Sequence, residues 1–239
     1  ERVLRENNVP VWIHTYRIMS TSKTTGLIEL IPNAVSLDGL KKKSDYPGSL
    51  RGWYEQAFGG PNSPQFKRAI DNYISSMAAY SIIAYLLAIK DRHNGNIMID
   101  KEGHVIHIDF GFVFGLAPGK QASMEKAPWK LNKEMAEVMG GWGSELFEQY
   151  KQKCIQAFTV LRKYSNEAIT LMQIMQHCSN FPAFKYNSNA VKDFRSRYYL
   201  DIPDSNIPRT VESLLRRSYA HLGSDLYDSF QLATNGIAK

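Results

Sequence analysis

Four residues within nineteen positions could do chemistry together: Asp91, His93, Asn96 and Asp109. Asp91 and His93 can take, give or orient a proton near neutral pH. Asn96 and Asp109 carry the hard oxygens that suit Mg²⁺. Phosphoryl transfer asks a protein for little else: a group to handle the hydroxyl proton, and oxygen ligands that hold a metal against the phosphates. Arg92 sits among them and reads as structural, pairing a carboxylate. His104 and His107 have no third ligand, so they do not read as a zinc site.

The elements that must position these groups follow from the surrounding pattern. Ile97-Met98-Ile99 reads as a strand, Asp100-Lys101-Glu102-Gly103 as a tight turn with Gly103 suited to positive φ, and His104 to Ile108 as the returning strand. Such a hairpin brings Asp109 back beside Asn96 across thirteen residues of sequence. Ahead of it, Ser63 and Pro64 open a helix running to about Ala88, apolar almost all round in its second half, as a helix buried in a lobe must be.

Asp91 and Asn96 stand in the D-x-x-x-x-N relation of the protein-kinase catalytic loop. The order Asp-Arg-His, the following Asn-x-Asn and the later His-Ile-Asp-Phe-Gly-Phe together resemble the lipid kinases of the phosphatidylinositol 3-/4-kinase superfamily. KDRHNGNIM and HIDFGF are most similar to the alpha form of the type III phosphatidylinositol 4-kinases. YDSFQLATNGIAK and GLIELIPNAVSLDGL are similar to the fungal members of that form. The resemblance covers nearly the whole chain. It implies an α/β (α+β) protein-kinase-like fold: residues 1–33 the end of the N-terminal lobe and the hinge, residues 34–239 a mainly helical C-terminal lobe, with the catalytic loop at 89–96 and the activation loop at 109–130.

The activity so implied is transfer of the ATP γ-phosphate to the 4-hydroxyl of phosphatidylinositol, with ATP and Mg²⁺ as cofactors. A phosphatidylinositol 3-kinase and a Ser/Thr protein kinase of the related group remain alternatives. The latter usually carries an acidic residue after Asp-Phe-Gly, where this chain has Phe112. A non-catalytic module is a third reading. His93 is favoured as base or as stabiliser of the transferring charge, with Asp91 orienting it, although Asp91 holds the kinase base position by spacing. Asn96 and Asp109 hold the metal. Adenine would bond the Glu29 carbonyl and the Ile31 N–H, one register apart on a strand; a plain edge strand is the other reading of that segment. Ile28 and Tyr16 would line the pocket, and Met98 and Ile108 would sandwich the ring. The activation loop would read the headgroup through Lys120, Lys126 and Lys130. These three are set apart, which suits a singly charged phosphodiester better than a bisphosphorylated head.

The rest bounds these expectations. The net charge of +6 suits an anionic partner, ATP or an acidic membrane face; nucleic acid is not expected. No run of 18 apolar residues occurs. Cys154 and Cys178 read as reduced thiols of a cytosolic protein. The chain opens on Glu1 and is expected to belong to a longer protein, cytoplasmic and peripheral at the plasma membrane or another cytosolic membrane face, with an upstream kinase lobe and regulatory scaffold proteins as partners. No G-x-G-x-x-G and no strand lysine is seen before Val11, so the fragment by itself is expected to turn over little.

Strands are expected over Val11–Ser20 and Leu27–Ile31, a polar stretch over Asp38–Tyr54 with Lys41-Lys42-Lys43 solvated rather than on a membrane, and helices capped by Asn132, Ser144 and Asn166. Further helices are expected near Val191–Tyr199 and Arg209–Leu222. A last turn or two over Leu226–Leu232 has an apolar face that packs on the lobe or meets a membrane, the former slightly preferred.

Overall fold

The computed structural model of the chain describes residues 1–118 and 126–239. In chain order, α1 spans Arg2–Glu6, and β1 (Ile18–Ser20) and β2 (Gly26–Ile28) pair as an antiparallel ribbon. β3 (Ala34–Ser36) leads into α2 (Leu37–Lys41), α3 (Leu50–Phe58) and α4 (Pro64–Leu86); β4 (Ile97–Asp100) and β5 (Val105–His107) follow. The remainder is helical: α5 (Lys133–Val138), α6 (Glu145–Lys163), α7 (Ser165–Cys178), α8 (Pro182–Tyr186), α9 (Ala190–Ser196), α10 (Ile207–Ser218) and α11 (Leu222–Asn235). This is the mixed, mainly helical architecture expected.

The core forms around α4. Ser63 accepts the Phe66 N–H (3.0 Å), and Pro64 sits in the first turn, where its missing N–H costs nothing. Beyond Met77 the helix is apolar on nearly every side, and Met77, Ala78, Ala79, Tyr80, Ile82 and Ala84 are all buried. It packs along α6 on one flank and against β5 and α3 on others. It also fixes the sheet by a polar contact, because the Ser76 hydroxyl accepts the Val105 N–H (2.8 Å).

That sheet is antiparallel in the order β3–β4–β5, with Val35 opposite Ile99 and Ile97 opposite His107. Its turn depends on Gly103, at φ +89°, where a Cβ would lie 2.9 Å from the Ala69 carbonyl oxygen. The Tyr54 hydroxyl donates to the Gly103 carbonyl (2.8 Å), tying the turn to α3. At the other end the Ile108 N–H donates to the Asn96 carbonyl (3.1 Å), one step beyond β5. The pairing therefore ends with Asn96 on one strand and Asp109 leaving the other.

Several expectations are corrected. The strand expected from Val11 is confined to Ile18–Ser20, because the preceding backbone bonds to α4: Trp12 N–H donates to Ser75 O, and Tyr80 bonds both N–H and C=O of His14. The second strand closes at Ile28; Glu29 N–H still donates to Arg17 O (2.9 Å), but the Arg17 N–H goes to the Glu29 side chain (2.8 Å) and not to its carbonyl, which ends the ladder. The polar stretch 38–54 contains α2 and the start of α3. Lys41 is not solvated, because its ammonium pairs with Glu134 and bonds the Lys239 carbonyl (2.9 Å). α7 starts at Ser165 after Tyr164, with Asn166 inside it rather than capping it. α11 runs fourteen residues, not a turn or two, and stops at Gly236 with φ +65°.

Gly103→Ala should destabilise the protein by about 2–4 kcal/mol, the combined cost of a left-handed alanine and a backbone clash. Urea unfolding measures this; a change under about 0.5 kcal/mol would show that the turn tolerates a side chain.

Candidate active site

The catalytic loop leaves α4 through Ala88 (φ +49°) and is pinned to the segment after Asp109 by backbone bonds. Lys90 N–H donates to Phe112 O (2.8 Å) and Phe114 N–H to Leu87 O (2.8 Å). Asp91 and Asp109 both have left-handed backbones, φ +63° and +55°. Aspartate tolerates that conformation better than most residues, and such strain persists only where surroundings impose it.

Arg92 supplies part of that imposition. It is 2% exposed, and its guanidinium donates to the carbonyls of Lys90 (3.0 Å), Ile108 (2.6 Å) and Asp109. It also lies over the Phe110 ring, 5.7 Å from the centroid. Its bonds run to main-chain carbonyls where a carboxylate was expected, and they clamp the catalytic loop onto the Asp-Phe-Gly.

His93 begins a single 3-10 turn, Asn94–Asn96. Its Nδ1 accepts the Gly95 N–H (3.1 Å), and its Nε2 lies 3.2 Å from Asn96 Nδ2 and 3.9 Å from Asp91 Oδ1. Burial holds the ring's pKa below its usual 6.5; the Asp91 charge opposes this, and Lys130 and Arg92 reinforce it. The ring is therefore neutral at pH 7. Both ring nitrogens face a donor, Nδ1 the Gly95 N–H and Nε2 the Asn96 amide nitrogen, and a neutral ring accepts at one of them and carries its proton on the other. A base at Nε2 has its proton on Nδ1 and keeps the bond from Asn96 in place of the one from Gly95. The geometry thus places both His93 and Asp91 at the proton-handling position, 3.9 Å apart.

Asn96 Nδ2 donates to the Asp91 carbonyl (3.0 Å), which engages the amide nitrogen and leaves the oxygen end for a metal. Asp109 Oδ1 accepts the Gly111 N–H (3.1 Å), and the residue is exposed. Two hard oxygens, with phosphate oxygens and water to complete the shell, fit Mg²⁺. Among the described residues no three or more His, Cys, Asp or Glu side chains gather as an all-protein cage would require.

Beside these groups lies a cavity of about 610 Å³, within the range of nucleotide and drug-sized ligands. Tyr16, Ile28, Glu29, Ile31, Met98, Ile108 and Asp109, the residues expected around adenine and metal, all line it. Ile18, Leu30, Phe110 and Gly111 line it too and were not foreseen. Strand alternation could have given Ile18 from Tyr16 and Ile28, whereas Phe110 enters by stacking on Tyr16 across the chain (6.4 Å). Among the described residues neither the Glu29 carbonyl nor the Ile31 N–H is bonded to another backbone group.

The three substrate lysines part company. Lys120 lies outside the described residues. Lys126 is exposed beside the site. Lys130 is corrected: it is 6% exposed and bonds Asp228 (2.6 Å) and Asn94 (3.0 Å), so it braces the catalytic loop and does not reach a headgroup. α11, which sequence reasoning left as a short appendage, brings Tyr227 to the Asp91 carboxylate. No local pattern signals that contact, which joins residues 136 apart.

An apolar nucleotide-sized cleft walled in part by Asp109, beside an Asp-Arg-His loop and the Asn96 that follows it, is the kind of arrangement that phosphoryl transfer asks of a protein. Residues 1–184 match the family model described as phosphatidylinositol 3- and 4-kinase. The chain belongs to that family. It is 38% identical over 237 residues to a phosphatidylinositol 4-kinase of Dictyostelium discoideum, covering 99% of this chain and 20% of the relative. It is 40% identical over 246 residues to phosphatidylinositol 4-kinase PIK1 of Saccharomyces cerevisiae (97% and 23%). It is 37% identical over 235 residues to a phosphatidylinositol 4-kinase beta of Danio rerio (98% and 28%). The chain thus spans 20–28% of these relatives' length, and the likeness to them does not separate alpha from beta forms.

Arg92→Lys keeps the charge but loses the fork that reaches several carbonyls at once. It should lower stability by about 2–4 kcal/mol and kcat by at least about tenfold, measured by denaturation and steady-state kinetics. Wild-type values for both would remove the clamp from the account.

Proposed function

We propose that the chain is the catalytic core of a MgATP-dependent phosphatidylinositol 4-kinase. The observation that carries this is the cavity whose apolar walls, Ile28, Met98 and Ile108, run directly to Asp109. An adenine sits between those walls and bonds the Glu29 carbonyl and Ile31 N–H, and the phosphates point toward Asn96 and Asp109. Asn96 and Asp109 would hold Mg²⁺, which would supply neutralisation of the charge on the transferring phosphoryl group. Asp91 accepts the inositol hydroxyl's proton, and His93, 3.9 Å from it, stabilises the transferring charge. The 4-hydroxyl is supported by the relatives' names, each a phosphatidylinositol 4-kinase. The wording KDRHNGNIM and HIDFGF supports the alpha form.

The surface supports work at a cytosolic membrane face. Of the apolar residues of α11, Tyr227 packs on the lobe with Asp228 and Gln231, whereas Leu226, Phe230 and Leu232 are 65%, 49% and 49% exposed. Together with Lys126 they fit an interface where acyl chains and anionic heads meet. The β1–β2 ribbon exposes Ile18, Met19, Leu27, Ile28 and Leu30 by 57–85%, which fits cover by an upstream lobe. Regulatory scaffold proteins belong to the same reading of the intact protein.

The test is a product assay on the intact protein with radiolabelled ATP and vesicles of phosphatidylinositol, against vesicles of its phosphorylated forms and a peptide substrate. Phosphatidylinositol 4-phosphate is the expected product, and Asp109→Asn should cut its formation about a hundredfold or more. Peptide phosphorylation in its place, or full activity in Asp109→Asn, would overturn the reading.

A further inference from the structure

α11 buries Tyr227, Asp228 and Gln231 and leaves Leu226, Phe230 and Leu232 exposed, so its inward face is largely polar. Three residues along it form a directional series at four-residue steps. Asn235 Nδ2 donates to Gln231 Oε1 (2.6 Å), which fixes the Gln231 amide. Gln231 Nε2 then donates to the Tyr227 hydroxyl oxygen (2.6 Å). The phenol, having accepted there, donates to Asp91 Oδ1. Each donation polarises the next, and the series strengthens out of water; Tyr227 and Gln231 are each 6% exposed.

The receiving group is the carboxylate whose backbone sits at φ +63°. A second grip lies one residue along α11, where Asp228 holds Lys130 and Lys130 donates to Asn94 Oδ1. One helix face thus fixes the loop at positions 91 and 94. A carboxylate has about four acceptor sites on two oxygens, so a phenol on one oxygen leaves capacity for a substrate hydroxyl. The side chain keeps 14% of its surface exposed.

We propose that Tyr227 is a positioning residue for phosphoryl transfer: its phenol, aimed by Gln231, holds the Asp91 carboxylate in the orientation that takes the substrate's proton, so that α11 completes the active site. The inference rests on the reading of Asp91 as proton acceptor. The nucleotide cavity is built from the ribbon and the hairpin, and among the described residues none of α11 lines it. Tyr227 therefore bears on turnover and not on ATP binding.

The test is steady-state kinetics of the intact protein with MgATP and phosphatidylinositol vesicles. Tyr227→Phe keeps the ring and removes the hydroxyl. It should lower kcat about tenfold or more, as expected for losing a bond to a charged group, and leave KM for ATP within about twofold. Gln231→Met should lower kcat less, in the same direction. The rise in melting temperature on adding nucleotide should persist in both variants. Unchanged kcat in Tyr227→Phe overturns the proposal. Raised kcat also does so, because the phenol would then be a block on the carboxylate. Parallel loss of turnover and nucleotide binding would make the contact merely structural, which overturns it too. Asp91→Asn separates the two readings: if it is inactive while Tyr227→Phe is normal, the positioning role alone fails. If Asp91→Asn is fully active, the base assignment fails first.

Discussion

The Arg92 guanidinium is the tie on which the site depends. It is a buried charge, and removing it from water costs several kcal/mol before any bond is made. Main-chain carbonyls offset that cost: those of Lys90, Ile108 and Asp109 lie where the catalytic loop and the end of the hairpin would otherwise leave acceptors without partners. The same bonds hold two aspartates, Asp91 and Asp109, in left-handed conformations. A lysine could not span these positions, because its donors radiate from one atom. The proton-handling loop and the metal-holding turn thus become one rigid unit, although they are separate in sequence.

Around that unit the fold divides its labour. α4 and the sheet set the height of Asn96 and Asp109 through Ser76, Gly103 and the Ile108–Asn96 bond. The β1–β2 ribbon supplies the far wall of the nucleotide cavity. α11 closes the loop from below with polar groups and turns its apolar side chains outward. The inner face of α11 is thus anchored by polar contacts at Asp91 and Asn94, while Leu226, Phe230 and Leu232 stay exposed. Lys130 belongs to the same set of contacts, buried between Asp228 of α11 and Asn94 of the loop.

What the sequence revealed was local. Ser63, Ser144 and Asn132 cap the helices they precede, Gly103 makes the turn it suits, and the alternation after it sets the register that brings Asp109 to Asn96. Each is decided within a few residues by backbone sterics or periodicity. What it hid was decided across long separations. Residues 11–16 have strand composition but bond to α4, because Ser75 and Tyr80 meet them there. Lys41 looks solvated in a run of lysines and is buried on Glu134. The face of α11 was misread because hydrophobicity assigns Leu226 and Phe230 to the inside, whereas the inside at that point is polar. His93 meets donors at both ring nitrogens, the Gly95 N–H and the Asn96 amide, contacts that no spacing reveals.

The central claim is that Asn96 and Asp109 share one divalent ion at the end of the nucleotide cleft. The most direct measurement is a crystal structure of the intact protein with Mg²⁺ and a non-hydrolysable ATP analogue. The account predicts an ion about 2.0–2.2 Å from Asn96 Oδ1 and an Asp109 carboxylate oxygen, with the adenine between Ile28 and the Met98–Ile108 wall. An ion held by other side chains, with Asn96 or Asp109 turned away from it, would contradict the account.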